Sequence, residues 1–178
     1  MNSPDKRPAM IAHWREIETA DTSHYDGDDE KLAIGAPFGK HFGLTRIGIH
    51  HERLLPGRRT SYPHAESAEE EFVYVIEGTP DVWLDGVLHR LAAGDAVGFP
   101  AGTGQCHTFI NNTDAEVHLI VVGEAAKSHN RIFYPRNPEQ RPQRDDWWAD
   151  APARTMGAHD GLSDRVRDWR AGKRPAQD

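Results

Sequence analysis

The sequence predicts an all-β fold in which antiparallel strands form a sandwich or a small barrel with extended arms. Short segments rich in aromatic and β-branched residues recur at even spacing between residues 42 and 123. The pair Asp85-Gly86 between two such segments is a strong hairpin signal. Helical patterns are nearly absent before residue 160. Together these observations favour strands joined by tight turns.

The individual elements follow from alternation and from turn residues. Predicted strands and extended segments cover 42–55, 60–66, 71–76, 81–84, 87–91, 96–99, 105–110 and 117–122. Turn residues separate them, as at Pro56-Gly57 and Gly94-Asp95. Residues 11–17 are expected to form a short strand or a single helical turn, and residues 164–169 one short helix.

The length and composition predict one domain with polar arms. The chain has 178 residues, of which 37% are hydrophobic. We place the barrel domain at 42–123, an N-terminal arm at 1–41 whose first ten residues are disordered, and a partly disordered C-terminal arm at 124–178. Because exposed sheet edges are usually covered, the segments around Trp14 and Trp147-Trp148 are expected to cover them in a homodimer.

Charge and cysteine content exclude several classes of partner. The net charge of -7 argues against nucleic acid, because binding to phosphate backbones needs clustered Lys and Arg. Cys106 is the single cysteine, so an internal disulfide is impossible, which suits a reducing cytosol. No apolar run reaches the length of a membrane helix, and residues 1–10 lack a signal-peptide core. We expect a soluble cytoplasmic protein that binds a small molecule, without a nucleic-acid or membrane partner.

Four potential metal ligands, His64, Glu66, Glu71 and His107, lie in the predicted strands. Residues two apart in a strand point to the same face, so these side chains can converge if their faces line one interior. Two imidazoles with one or two carboxylates suit iron, manganese, zinc or nickel. The competing interpretation is that Glu69 to Glu71 form a solvated surface and that each histidine is structural.

Two segments resemble the two motifs of the cupin superfamily. The first motif runs Gly-x5-His-x-His-x3-4-Glu-x6-Gly, and this chain has Gly57, His64-Ala65-Glu66, Glu71 and Gly78 in that order. The second runs Gly-x5-Pro-x-Gly-x2-His-x3-Asn, and this chain has Gly94, Pro100-Ala101-Gly102, His107 and Asn111. The resemblance covers roughly residues 42–123 and implies an antiparallel β-barrel, or double-stranded β-helix, of jelly-roll type.

The resemblance implies that His64, Glu71 and His107 bind one divalent metal ion. Glu66 stands where the motif has its second histidine, and one extra residue separates Gly57 from His64. The Glu66 carboxylate could bind the ion, act as a base beside it or face solvent, and we include it in the expected ligand set. Cys106 alternates with His107, so it is expected to face away as a small buried hydrophobe.

Three further residues are candidates for the substrate pocket. Tyr62 and Gln105 share predicted strand faces with the ligands, and His51 could enter the same interior from the preceding strand. The ordinary alternatives are packing for Tyr62, a backbone hydrogen bond for Gln105 and a rim position for His51.

The resemblance implies several activities, among them isomerases of sugars and sugar acids, lyases and dioxygenases, and a fold alone does not choose among them. Proton transfer by Glu66 beside a Lewis-acid ion would suit isomerisation. We therefore prefer a metal-dependent, isomerase-like enzyme acting on a small polar molecule, either a sugar or a hydroxy or keto acid. The alternatives are a dioxygenase and a non-catalytic module that binds metal or a small molecule.

Overall fold

The computed structural model describes residues 7–174, so the disorder predicted for residues 1–6 lies outside the described residues. The strands, in chain order, are β1 (Ile34–Ala36), β2 (Ile47–Leu54), β3 (Ala65–Glu66), β4 (Glu71–Glu77), β5 (Asp81–Leu84), β6 (Val87–Arg90), β7 (Ala96–Phe99), β8 (His107–Ile110), β9 (Val117–Glu124) and β10 (Ile132–Phe133). The helices are α1 (Trp14–Ile17), α2 (Phe38–His41) and α3 (Asp164–Arg170), with a 3-10 helix at Pro138–Gln143. No helix within residues 7–174 is long and apolar enough to span a membrane.

The strands form two main antiparallel sheets that pack face to face. The larger sheet has the order β1-β2-β9-β4-β7, and the smaller has the order β6-β5-β8. A two-stranded ribbon of β3 and β10 lies beside them. Since β2 pairs with β9 and β5 pairs with β8, the neighbours in space are distant in sequence, as in a jelly roll. The predicted antiparallel all-β fold is confirmed, although the sheets do not close into a continuous barrel.

The core lies between the two sheets and is made of aliphatic and aromatic side chains. Its buried members are Ala33, Leu54, Val73, Val75, Val82, Phe99, Phe109, Val117 and Leu119. Strand alternation places Val73 and Val75 of β4 in this core and leaves Phe72 and Tyr74 on the opposite face. Each fully buried aliphatic side chain stabilises the fold by roughly 1.5–3 kcal/mol.

The hairpin between β5 and β6 turns at Asp85-Gly86, as predicted. Both residues have positive φ, 46° at Asp85 and 90° at Gly86, which is the backbone that a two-residue type I′ turn requires. A Cβ at Gly86 would lie 2.4 Å from the Gly157 carbonyl oxygen. Glycine is therefore needed there both for the turn and for the close approach of the C-terminal segment.

Both predicted arms pack against the sheets. In the segment 1–41, β1 pairs with β2 and extends the larger sheet beyond the predicted boundary at residue 42. In the segment 124–178, Trp148 is buried with Trp83 and Cys106 on the outer side of the smaller sheet. The helical turn and the short C-terminal helix that the sequence allowed are present as α1 and α3.

A buried ion pair ties the arms to the strands. Both carboxylate oxygens of Glu30 accept hydrogen bonds from the Arg59 guanidinium, at 2.6 and 2.7 Å, and both side chains are almost fully buried. Arg59 also donates to the carbonyl oxygen of Gly161, and Arg170 of α3 contacts Glu30 at 3.0 Å. One carboxylate thus joins the N-terminal segment, the strand region and the C-terminal helix.

Replacing Glu30 is expected to destabilise the protein strongly. In Glu30→Gln the Arg59 guanidinium stays buried without its counter-charge, so the free energy of unfolding should fall by about 3–5 kcal/mol in urea denaturation. The matched control is Asp114→Asn, which removes the exposed pair with Arg165 and should change stability little. Equal losses in the two variants would contradict a structural role for the buried pair.

Candidate metal centre

Three side chains from separate elements converge at one end of the space between the sheets. One potential ligand atom from each of His64, Glu71 and His107 lies within 4.8 Å of the other two. His64 and His107 are joined by two backbone hydrogen bonds of 2.9 and 3.1 Å. Glu71 begins β4 in the facing sheet, and its Oε1 atom is 3.2 Å from the Nε2 atom of His107. The structure therefore brings together three of the four predicted ligands, while metal binding itself stays a prediction.

Backbone carbonyl groups fix which imidazole nitrogens can act as ligands. The Nδ1 atom of His64 lies 3.0 Å from the carbonyl oxygen of Tyr62, and the Nδ1 atom of His107 lies 3.5 Å from that of Gln105. A carbonyl oxygen can only accept, so in the tautomer protonated at Nδ1 each Nε2 is the nitrogen that would bind an ion, in place of the hydrogen bond that His107 donates to Glu71. Two imidazole nitrogens and one carboxylate form a donor set that fits a divalent transition metal.

The pKa values of these groups favour the protonation states that a metal site needs. Burial and the neighbouring His107 lower the pKa of His64 to about 4, so its imidazole is neutral at neutral pH. Burial alone would raise the pKa of Glu71, but the hydrogen bond from His107 and the nearby imidazoles outweigh it and lower the pKa. A neutral imidazole and an ionised carboxylate can therefore bind an ion without first losing a proton.

Phe99 of β7 holds the His107 ring in place. The two rings stack with centroids 3.5 Å apart and an angle of 9° between their planes. Phe99 pairs directly with Glu71 across β4 and β7, so the same register positions the carboxylate and the stacking ring. This packing limits rotation of the imidazole and keeps Nε2 directed towards Glu71.

Glu66 lies beside the converging ligand atoms and is not one of them. It is the last residue of β3, two residues after His64, and its carbonyl oxygen accepts a hydrogen bond from the backbone N–H of Gly102. Burial raises the pKa of Glu66 to about 7, and the carboxylates of Glu69 and Glu71 add to the shift.

Two cavities in the described part of the chain are lined by both Glu66 and Glu71. The larger, of about 250 Å³, is lined by Gly48, His50, Glu52, Glu66, Glu69, Glu70, Glu71, Val121, Gly123 and Glu124. The smaller, of about 10 Å³, is lined by Ala65, Glu66, Glu69, Glu71, Phe99, Pro100, Thr103, Gln105 and His107. Glu66 and Glu71 face both cavities, so a molecule in the larger space would lie next to the candidate ligands.

The three residues predicted to line the substrate pocket lie in different places in the structure. Gln105 lines the small cavity next to His107, as predicted. Tyr62 does not reach the cluster, because its ring stacks on Tyr25 at 3.8 Å and its hydroxyl donates to Asp28. The prediction for His51 is wrong. Its ring lies on the outer face of β2, stacked on Trp14 at 4.5 Å.

The correction at His51 reveals two site residues that the sequence analysis missed. His50 and Glu52 occupy the inner face of β2 and line the larger cavity. Burial raises the pKa of Glu52 to about 8, and the Glu71 carboxylate adds to the shift. The Oε2 atom of Glu52 is buried and has no hydrogen-bond partner among the described residues. Leu54 was the residue of the sequence that could have identified this face. It is buried in the core, and His50 and Glu52, four and two residues before it, point to the same side of the strand.

Cys106 behaves as predicted and lies outside the site. Its side chain is fully buried on the opposite face of the smaller sheet, packed with Trp83, Ile110 and Trp148. Burial raises the pKa of its thiol to about 12, so the thiol stays protonated.

Comparison with known proteins gives one family and several relatives. A family model described as a cupin domain matches residues 50–123. A protein called polyketide synthase CurC, from Streptomyces cyaneus, is 31% identical over 116 residues, which are 65% of this chain and 70% of CurC.

Two solved structures are also similar. One, titled a sugar phosphate isomerase from Silicibacter pomeroyi, is 33% identical with a TM-score of 0.55. The alignment covers 57% of this chain and 64% of that one, which is slightly less than two thirds of its length. The other, titled a putative sugar phosphate isomerase from Acidithiobacillus ferrooxidans, has a TM-score of 0.63 at 24% identity and covers 72% of this chain and 83% of that one. At this identity the second structure supports the fold alone.

The raised pKa of Glu52 predicts a pH-dependent loss of stability in the metal-free protein. Between the ordinary value of 4.5 and about 8, the folded state keeps a proton that the unfolded state has lost. The free energy of unfolding should therefore fall as pH rises through this window and level off above it, by roughly 1–4 kcal/mol in total. Glu52→Gln cannot ionise, so its stability relative to wild type should rise over the same window. Urea denaturation from pH 5 to 9 measures this difference, and parallel curves would contradict the assignment.

Proposed function

Because this chain belongs to the cupin superfamily, we propose that it is a metal-dependent enzyme that transfers a proton within a small polar substrate carrying hydroxyl and carbonyl groups. The observation that carries the proposal is the convergence of His64, Glu71 and His107 beside Glu66, whose pKa is about 7. A carboxyl group with a pKa near the working pH can both accept and return a proton.

The comparisons support an enzyme of isomerase type. The relative from Silicibacter pomeroyi, at 33% identity, is titled a sugar phosphate isomerase. Dioxygenases and non-catalytic binding modules can share this fold, so the fold cannot choose among them. Glu66 favours proton transfer, because its carboxyl group lies next to the ligand cluster without belonging to it, where it can act as a base.

The residues around the cluster have separable roles in such a reaction. A divalent ion of iron, manganese, zinc or nickel held by His64, Glu71 and His107 would supply Lewis-acid polarisation of a substrate oxygen. Glu66 takes a proton from the hydroxyl-bearing carbon next to the substrate carbonyl. The C–H electron pair then forms a carbon–carbon double bond while the carbonyl π pair moves onto the carbonyl oxygen, which gives an enediolate. Return of the proton by Glu66 to the other carbon, with transfer of the hydroxyl proton between the two oxygens, completes the isomerisation.

Loss of one imidazole should lower metal occupancy. His107→Ala removes a candidate ligand, so elemental analysis after reconstitution with each of the four metals should show a large fall in bound ion. Cys106→Ala is the matched control, because residue 106 is adjacent in sequence while its side chain lies on the opposite face. Wild-type protein that binds none of the four metals, or unchanged occupancy in His107→Ala, would contradict the proposed site.

Glu66→Gln should separate a base from a ligand. The amide cannot accept the proton, so metal occupancy should persist while exchange of substrate hydrogen falls by at least about 100-fold. The measurement is NMR-detected incorporation of deuterium from heavy water at the carbon next to the carbonyl, using free and phosphorylated ketoses. Loss of metal from Glu66→Gln would make Glu66 a ligand. Unchanged exchange would remove it from the mechanism.

We also propose a homodimer formed through the outer face of the larger sheet. Large apolar side chains there are more than two fifths exposed, namely Ile47, Phe72, Tyr74 and Ile76. Trp14 and Trp148, which the sequence analysis assigned to dimer contacts, pack on their own chain, and the outer face of the larger sheet is the apolar surface on which the proposal rests. Light scattering should give twice the monomer mass for wild type and a lower mass for Phe72→Glu, because a charge at this face opposes burial. A monomeric wild type at micromolar concentration would contradict the dimer.

A further inference from the structure

The residues that line the larger cavity beside the candidate ligands indicate which substrate charge the cavity favours. Its volume of about 250 Å³ equals that of roughly eight water molecules, enough for a single-ring compound or a small sugar. It lies between β2 and the segment before β4, next to Glu71. A substrate that contacts the cluster would have its remaining groups in this space.

The cavity wall is rich in carboxyl groups. Six of its ten lining residues are glutamates, namely Glu52, Glu66, Glu69, Glu70, Glu71 and Glu124. Neither Lys nor Arg is among the described residues that line it. The nearby ammonium group of Lys127 already contacts Glu124 and the Ala68 carbonyl oxygen. Phosphate and carboxylate ligands are normally held by guanidinium or ammonium groups, which this wall does not supply.

Glu52 adds an observation that is independent of the wall's charge. It lies on the inner face of β2, and its buried Oε2 atom has no hydrogen-bond partner among residues 7–174. A buried polar atom without a partner is costly, so the fold keeps this carboxyl group at a cost, and its side chain lines the cavity, where a ligand can hydrogen-bond it. A protonated carboxyl group offers one donor and one free acceptor, which match a hydroxyl or carbonyl group of a ligand.

We infer that this cavity accepts an uncharged, oxygen-rich molecule, rejects phosphorylated or carboxylated analogues, and uses Glu52 to hydrogen-bond the substrate. The inference rests on the proposed function and narrows it to uncharged hydroxyketones or polyhydroxylated rings. An ion at the cluster would offer positive charge to one substrate oxygen. A second, anionic group would face six glutamates and neither Lys nor Arg among the described lining residues.

Binding of matched pairs tests the charge preference. Isothermal titration calorimetry compares D-fructose with D-fructose 6-phosphate, and phloroglucinol with 2,4,6-trihydroxybenzoate. The uncharged member of at least one pair should bind about tenfold more tightly than its anionic partner. Equal or tighter binding of both anionic probes, or failure of both uncharged probes to bind at millimolar concentration, would overturn the inference.

Variants separate the role of Glu52 from that of the surrounding charge. Glu52→Leu removes the hydrogen-bonding group and should weaken the uncharged probe about tenfold, whereas Glu52→Gln keeps a donor and an acceptor and should restore most of the affinity. Glu70→Lys introduces a cation at the exposed rim of the cavity. It should therefore reduce the difference in affinity between the uncharged probe and its anionic partner. Unchanged binding in Glu52→Leu would remove Glu52 from the site.

Metal content keeps this test distinct from the test of the proposed function. Titrations are made on the protein as purified and after metal loading, with occupancy measured in each sample. A protein that takes up none of the four metals on loading yet prefers uncharged probes would refute the metal-dependent function and keep the inference. A metal-loaded protein that prefers the phosphorylated sugar and the carboxylated ring would refute the inference alone.

Discussion

The site depends on the antiparallel register of the larger sheet. Pairing of β2 with β9, of β9 with β4 and of β4 with β7 aligns residues in rows across the inner face, and the row at the open end contains Gly48, Gly123, Glu71 and Phe99. The two glycines leave space opposite Glu71, and this space is part of the larger cavity. A shift of one residue in the pairing of β4 with its neighbours would turn Glu71 to the outer face.

The inner face changes from polar to apolar along the strands, and this gradient separates function from stability. On β2 it runs through His50 and Glu52 to the fully buried Leu54, and on β4 from Glu71 to Val73 and Val75. The apolar end supplies the core that keeps the two sheets together. The polar end carries a cost, because burial makes ionisation of Glu52 and Glu66 unfavourable. Groups with such shifted pKa values are typical of functional sites, where the rest of the fold offsets the cost.

Sequence reasoning succeeded where local rules fix the structure and failed where two faces look alike. Turn chemistry was enough to predict the hairpin at Asp85-Gly86, and motif spacing was enough to bring His64, Glu71 and His107 together. The sequence analysis directed His51 towards the interior, although it lies on the outer face of β2. The error arose because the outer face of β2 carries apolar side chains, so hydrophobic alternation made this face look like the inner one. Ile49 pairs with Val122, which in turn pairs with Phe72, and these outward side chains look like a core in the sequence. The packing of the arms could not be predicted, because it depends on long-range contacts such as that between Glu30 and Arg59.

Similarity to a protein titled an isomerase does not determine which substrate this chain would bind. The reason is that the candidate ligand cluster and the wall of the larger cavity come from different parts of the chain. The cluster needs a few side chains set by turns and by the pairing of His64 with His107. The wall is built from β2 and from the acidic segment between residues 66 and 71, where a substitution alters charge without altering the fold. Two proteins can therefore share the fold and the ligands and still select substrates of opposite charge. In this chain six of the ten residues of the wall are glutamates, so under the proposed function the cluster would set the reaction and the wall would set the charge of the molecule that reaches it.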